Sequence, residues 1–336
     1  MCYLARHGDE VPRMRAAIHM DMVGGDPKIT KAIFHLTRTP ASLASYVNDV
    51  AAVFGEYAID GARRAAMDGD FSDGNVSPEG SKDMLLADFH PFTMGSDHDV
   101  YEEGSFRVPT IYLNDWPDVF IHTNGDVPAN MDATKLQRVA VLGAASGYFI
   151  AAAGDAEARI LAGEVFARGA ARQGDALRRA LSEPDLARAY NLVRLAAAQE
   201  RDALESIAVL APKVRQTIDD LKRRVAERES AAVLRELRGE MPARRDPLSG
   251  VVPRRNPEVI GNLEVYYYRY IPDHLNDAPE PALEGTLAYE ALNLVNGARS
   301  VAEIRDVLAA FYEDVRGEAV LEYFQLLARA GVVSLR

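Results

Sequence analysis

Two apolar runs, RAAIHMDMV (Arg15–Val23) and KAIFHL (Lys31–Leu36), are separated only by GGDPKIT. Runs this short, bounded by Gly, Pro and Thr, are expected to be strands, and the glycine-rich interval a turn. Thr39 and Pro40 then open an expected helix from Ala41 to about Tyr57, with Leu43, Val47, Val50 and Phe54 at helical spacing. DGDFSDGNVSPEGSK (Asp68–Lys82) reads as a polar loop, VPTIYL (Val108–Leu113) as a further strand, and Thr134–Ala153 as an apolar helix. Strands alternating with helices must bury their apolar faces against each other, which implies a layered α/β domain over residues 1–154.

From Asp155 the character changes. Ala/Leu/Arg/Glu-rich sequence runs to about Met241, broken at Ser182–Pro184 and Ala211–Pro212, and its apolar spacing predicts two or three packed helices. Residues 242–261, rich in Pro and Arg, are expected to be a linker or extended arm, and EVYYYRY (Glu264–Tyr270) a strand. Near the C-terminus, a turn at Asn296–Gly297 precedes two amphipathic helices and a short apolar tail. That order suggests a small winged-helix-like module over 263–336, after a helical segment and linker over 155–262.

Charge narrows the functional classes. The chain has a net charge of −12, and residues 1–155 alone carry 12 Lys+Arg against 22 Asp+Glu. Neither half is basic, so nucleic acid is not an expected partner. No apolar run reaches the roughly 18 residues of a membrane span. The N-terminus has neither a basic segment nor an apolar core of the signal-peptide kind, which argues against export of the chain as it starts here. The single cysteine, Cys2, cannot form an internal disulfide. Six of the seven histidines lie between His7 and His122, in the acidic half. Acid and imidazole together suit a metal site.

Three stretches concentrate these groups: HMDMVGG, GSDHDVYEEGSFRVPTIYL and WPDVFIHTNGDVPANMD. In α/β sheets functional groups gather beyond the carboxyl ends of strands, and Asp21 stands near such an end, followed by Gly24 and Gly25. Taken alone, a strand-end Asp is more often a turn cap. Ser96, Asp97 and His98 are adjacent, so they cannot aim three side chains at one point as a hydrolytic triad requires. They are expected instead to support another site or to form a hydrogen-bonded turn. His122 follows Trp116, Phe120 and Ile121, where an imidazole ligand and an aromatic substrate wall are the functional expectation and a surface histidine the plain one.

Together, the DMVG of Asp21–Gly24, the GSDH of Gly95–His98, and VPTIYL followed by IHTNGDVPANMD resemble the double-zinc aminopeptidases, peptidase family M twenty-eight, with its aminopeptidase Y and glutamate carboxypeptidase relatives. The resemblance covers residues 1 to about 153 and matches the later part of that catalytic domain. It implies a partial three-layer aminopeptidase-like domain with a mixed sheet. Asp21 would be the terminal carboxylate ligand of one zinc and His122 the terminal imidazole ligand of the other. Ser96, Asp97, His98 and Trp116 would support the metals or line the substrate site, and the substrate would be a peptide. The implied chemistry is hydrolysis of N-terminal peptide bonds, with two zincs activating water and a Glu as general base.

The sequence departs from that family upstream. The pattern also needs an earlier His, a bridging Asp and a Glu-Glu pair. The twenty residues before Asp21 hold His7, Asp9 and Glu10 but no such pair. The expectation is therefore a truncated, weakly active or inactive relative whose zinc occupancy is low. A second expectation is a non-catalytic interaction unit, self-associating or binding a protein partner through its C-terminal region. An unrelated α/β hydrolase is disfavoured because no G-x-S-x-G elbow is present.

Overall fold

The computed structural model describes residues 2–73, 75–237, 246–261, 270–276 and 279–336. Among them, twelve helices and six strands follow in the order α1 (Cys2–Arg6), β1 (Ala17–Asp21), α2 (Pro27–Thr30), β2 (Ile33–Thr37), α3 (Val47–Asp68), β3 (Ala87–His90), α4 (His98–Glu102), β4 (Thr110–Trp116), α5 (Ala133–Ala152), α6 (Asp155–Leu181), α7 (Leu186–Ser206), α8 (Arg215–Ala231), β5 (Pro253–Arg255), α9 (Tyr270–His274), α10 (Gly285–Asn293), α11 (Val301–Phe311), α12 (Gly317–Arg329) and β6 (Val333–Leu335). None of these helices is by itself long and apolar enough to cross a membrane.

Strands β1 to β4 form one mixed sheet in the order β1-β4-β2-β3. β1 runs parallel to β4 and β2 parallel to β3, while β2 and β4 are antiparallel. The α/β class with a mixed sheet therefore holds. Side chains alternate across a strand, and here the alternation separates two unlike faces. Phe34, Leu36, Ile111 and Leu113 are buried on one of them, each burial contributing about 1.5–3 kcal/mol. Helices α3 and α5 lie against this face at glycines: a Cβ on Gly55 would come within 2.4 Å of Leu36, and one on Gly143 within 3.1 Å of Met20. The opposite face carries the polar alternates.

The expected helix from Ala41 begins late. Ala41–Leu43 is a 3-10 turn, and α3 starts at Val47. Tertiary hydrogen bonds draw this segment outwards: Ala41 N donates to the Tyr312 hydroxyl, Ser42 N to Glu290, and Tyr46 N to the Ser206 hydroxyl. Gly69, at φ 68°, ends the helix in the left-handed conformation. The turn expected over residues 24–30 also contains the short helix α2, capped by Asp26.

Helices α6, α7 and α8 do not form a segment of their own. Leu161, Val165, Leu204, Ile218 and Val225 belong to the same buried core as Phe34, Leu113 and Val139. Charge pairs join the layers: Arg172 bridges Asp49 of α3 and Glu200 of α7, and Arg168 reaches Glu56 of α3. A second core holds Leu292, Ile304, Leu308, Tyr323 and Phe324, with Leu195 of α7 at its edge. The arm expected over 242–261 is partly structural, because β5 pairs antiparallel with β6. The C-terminal unit thus takes in residues before 263, the boundary expected from composition. Of the expected strand Glu264–Tyr270, residues 264–269 lie outside the described residues, and Tyr270 opens α9.

Candidate functional site

Each strand of the main sheet carries a polar-apolar-polar triplet whose two outer residues point to the face opposite α3 and α5. The triplets are His19-Met20-Asp21, His35-Leu36-Thr37, Asp88-Phe89-His90 and Tyr112-Leu113-Asn114. Strand register aligns them in two rows. One row runs His19, Tyr112, Thr37, His90, and the next runs Asp21, Asn114, His35, Asp88. Tyr112, Asn114, His35 and Thr37 are buried in the middle of this face, where polar groups need partners. Thr37 donates to Asn114 Oδ1 at 3.2 Å.

Helix α4 and the loop before it cover the β1–β4 end. Ser96 Oγ donates to Asp21 Oδ2 at 2.6 Å and lies 2.7 Å from His19 Nε2. With the serine proton on the carboxylate, the imidazole nitrogen must be the donor, an assignment that follows from the hydrogen-bond network. The order Asp21–Ser96–His19 therefore does not activate a serine nucleophile, which needs the imidazole to accept the hydroxyl proton. Burial lowers the His19 pKa, with Asp21 and Asp97 opposing the shift.

His98 is fully buried and stacks on Tyr112, with ring centroids 3.9 Å apart and planes 18° apart. Its Nε2–H donates to Thr93 O at 2.8 Å, while Nδ1 has no hydrogen-bond partner. Burial pushes its pKa down to about 4. Asp99, beside it with Oδ1 3.2 Å from His98 Nε2, is pushed by burial up to about 7. Asp97 is exposed and reaches the site only through its charge.

Close packing accounts for the two glycines in the turn after Asp21. A Cβ at Gly24 (φ 153°) would lie 2.4 Å from Leu136, and one at Gly25 would lie 2.9 Å from Thr30. These glycines admit the neighbouring side chains. Their N–H groups both donate to Asp115 Oδ2 at 2.9 Å, and Lys135 pairs with Asp115 Oδ1 at 2.6 Å.

The loop carrying His122 leaves the same end of the sheet and is tied back to this turn. Asp26 N donates to Asn130 O, and Asp132 N to Gly24 O. His122 itself is exposed, with φ 58°, and among the described residues no hydrogen bond or ion pair joins it to Asp21. Trp116, at the end of β4, is exposed as well. The structure therefore brings Asp21 and Ser96 together, sets His98 in the wall behind them, and leaves His122 and Trp116 at the rim.

Ligand geometry tests the implied zinc pair. Among the described residues, the group of three His, Cys, Asp or Glu side chains whose ligand atoms all lie within 4.8 Å of one another is His35, Asp88 and His90. Neither Asp21 nor His122 belongs to it. A catalytic zinc usually takes three protein ligands, and the surroundings of Asp21 do not supply them. The chain's Glu102–Glu103 pair is no substitute. Glu102 is buried and accepts from Thr110 N at 3.0 Å, and Glu103 pairs with Arg255. No family model, curated protein or solved structure matches the chain.

Proposed function

We propose that residues 1–154 correspond to the later part of a zinc-aminopeptidase-type catalytic unit, and that the chain by itself hydrolyses peptides weakly or not at all. The observation that supports the family reading is the Ser96–Asp21 hydrogen bond of 2.6 Å. It joins two of the separated motifs, GSDH and DMVG, at one carboxylate beyond the end of a strand, where α/β enzymes place their ligands. Asp21 is the metal-facing carboxylate of this reading, Ser96 its positioning partner, and His98 with Tyr112 the buried wall that fixes the loop.

The zinc chemistry of such a unit is polarisation of a scissile carbonyl and activation of water. The expected result is background hydrolysis of aminoacyl-4-nitroanilides by this chain in added zinc, unchanged by Asp21→Ala. A chain lengthened at its N-terminus to include an H-x-D motif and a Glu-Glu pair is expected to turn over substrate in an Asp21-dependent, chelator-sensitive way. Robust Asp21-dependent turnover by the chain as given would overturn the weak-activity reading. A lengthened chain that binds zinc yet ignores Asp21→Ala would overturn the family assignment.

A second reading, a non-catalytic interaction unit, is favoured by the absence of a three-ligand group at Asp21 among the described residues. It predicts self-association or partner binding through the C-terminal region, which sedimentation velocity of the intact chain would register.

A further inference from the structure

The polar sheet face carries a second cluster, remote from Asp21 and unused by the reading above. His35 and Asp88 are directly opposite one another on β2 and β3. His90, two residues beyond Asp88, projects to the same side. Its ring stacks on that of His35, with centroids 4.2 Å apart and planes 5° apart. His90 Nδ1 lies 2.9 Å from Asp88 Oδ2. One ligand atom from each of the three falls within 4.8 Å of the others. We infer that His35, Asp88 and His90 form a binding site for one divalent late transition-metal ion of the zinc, cobalt or nickel kind.

The donor set selects the class of ion. Two imidazoles and one carboxylate suit zinc and its neighbours, whereas calcium and magnesium require shells built mainly of oxygen. The His90–Asp88 separation of 2.9 Å is near the roughly 3.3 Å between ligand atoms of a tetrahedral zinc. Because the His35 and His90 rings are stacked with parallel planes, binding would turn one ring so that both nitrogens point at the same ion. Burial differs across the three in a useful way. His35 is anchored in the sheet at 8% exposure, while Asp88 is exposed on the outermost strand. The protein therefore supplies three ligands from one side and leaves the solvent side for water, as open three-ligand sites do.

This site is separate from Asp21. Asp21 and His35 lie in the same row but two strands apart, with β4 between them. At about 4.8 Å per strand, the Cα atoms are roughly 10 Å apart, too far to share one ion. The bound ion would clamp the short strand β3 onto β2. The competing account is that Asp88 and His90 merely charge an edge strand, a common guard against strand-to-strand aggregation.

The test is titration of the chelator-stripped chain with Co²⁺, read by visible d–d absorption, and with Zn²⁺, read by calorimetry. One ion per chain is expected. Asp88→Asn and His90→Ala are each expected to weaken binding at least about ten-fold, the lower range for losing even an outer-shell partner of a ligand. Asp21→Ala and His122→Ala are expected to leave it unchanged. Both informative substitutions lie on an edge strand, and retention of fold is checked by far-UV circular dichroism. Absence of saturable binding, or binding undiminished in both Asp88→Asn and His90→Ala, overturns the inference. Binding lost only in Asp21→Ala would also overturn it, placing the ion instead at the site of the preceding proposal.

Discussion

Lys135→Met is expected to destabilise the chain by about 3–5 kcal/mol, the usual loss when one partner of a buried ion pair is removed. Asp115 and Lys135 are both almost wholly buried, 1% and 5% exposed at the side chain, and lie 2.6 Å apart. Burial pushes the Asp115 pKa up, and Lys135 pulls it back towards the ionised form. The carboxylate also receives the N–H groups of Gly24 and Gly25, and Lys135 donates to Gly25 O at 3.0 Å. One charge pair thus closes the turn that follows β1 and ties it to α5. Without Lys135, Asp115 keeps two backbone donors but loses its countercharge. Without Asp115, two backbone donors and an ammonium lose their acceptor, so Asp115→Ala is expected to cost at least as much. Urea unfolding followed by far-UV circular dichroism measures both, and a double-mutant cycle isolates the coupling. Single-variant costs below about 1 kcal/mol, the scale of an exposed pair, would show that water screens the pair and that other contacts hold the turn.

The legible part of this fold lies where sequence pattern and local physics agree. The strands at Ala17–Asp21, Ile33–Thr37 and Thr110–Trp116 appear in the sequence as short apolar runs between turn formers. α5 is evident because residues 139–152 are mostly apolar over a length typical of a helix. β3 is not legible in the sequence, because it is four residues long and only Ala87 and Phe89 point to the apolar side. Without β3 the His35–Asp88–His90 cluster is invisible, since its members come together only through strand register. Yet the signal existed: HMD, HLT, DFH and YLN each alternate polar, apolar, polar, and Leu36 and Leu113 face the same core. His19 differs: its strand is legible, but its link to Asp21 runs through Ser96, 75 or more positions away in sequence. Helix packing was also beyond the pattern. Periodicity predicted helices over 155–241, but nothing in it told that α6 to α8 share a core with the sheet. That depends on long-range pairs such as Arg172–Asp49 and Arg168–Glu56.

Substituting His98 and Asp99 one at a time is expected to expose two opposite pH dependences that nearly cancel in the parent chain. The folded-state pKa of Asp99 is about 7, against an ordinary value of 3.8, because burial disfavours its charge. Between those values the folded chain holds the extra proton, so the stability present below the ordinary value is lost as pH rises towards 7. That window, about three pH units at 1.36 kcal/mol each, amounts to roughly 4 kcal/mol. His98 behaves inversely. Its folded pKa is about 4, below the ordinary 6.5, again because of burial. Its contribution is complete above 6.5 and is lost as pH falls towards 4, a change of roughly 3 kcal/mol. Neighbouring groups face both residues: His19 and Asp21 from β1, Tyr112 from β4, Asp97 from the same loop, and Tyr289 of α10, whose hydroxyl donates to Asp99 O at 2.8 Å. Glu102 and Glu290, also raised by burial, slope in the same direction as Asp99 but remain in every variant, so differences from the parent isolate the pair. Relative to the parent, Asp99→Asn should gain about 4 kcal/mol of stability as pH rises from about 4 to about 7.5. His98→Gln should gain about 3 kcal/mol relative to the parent as pH falls from about 6.5 to about 4. Denaturant midpoints across that range measure both. Parallel pH profiles for the parent and Asp99→Asn would mean that Asp99 titrates alike in the folded and unfolded chain, and would overturn its assignment as a buried neutral acid at pH values between about 4 and 7.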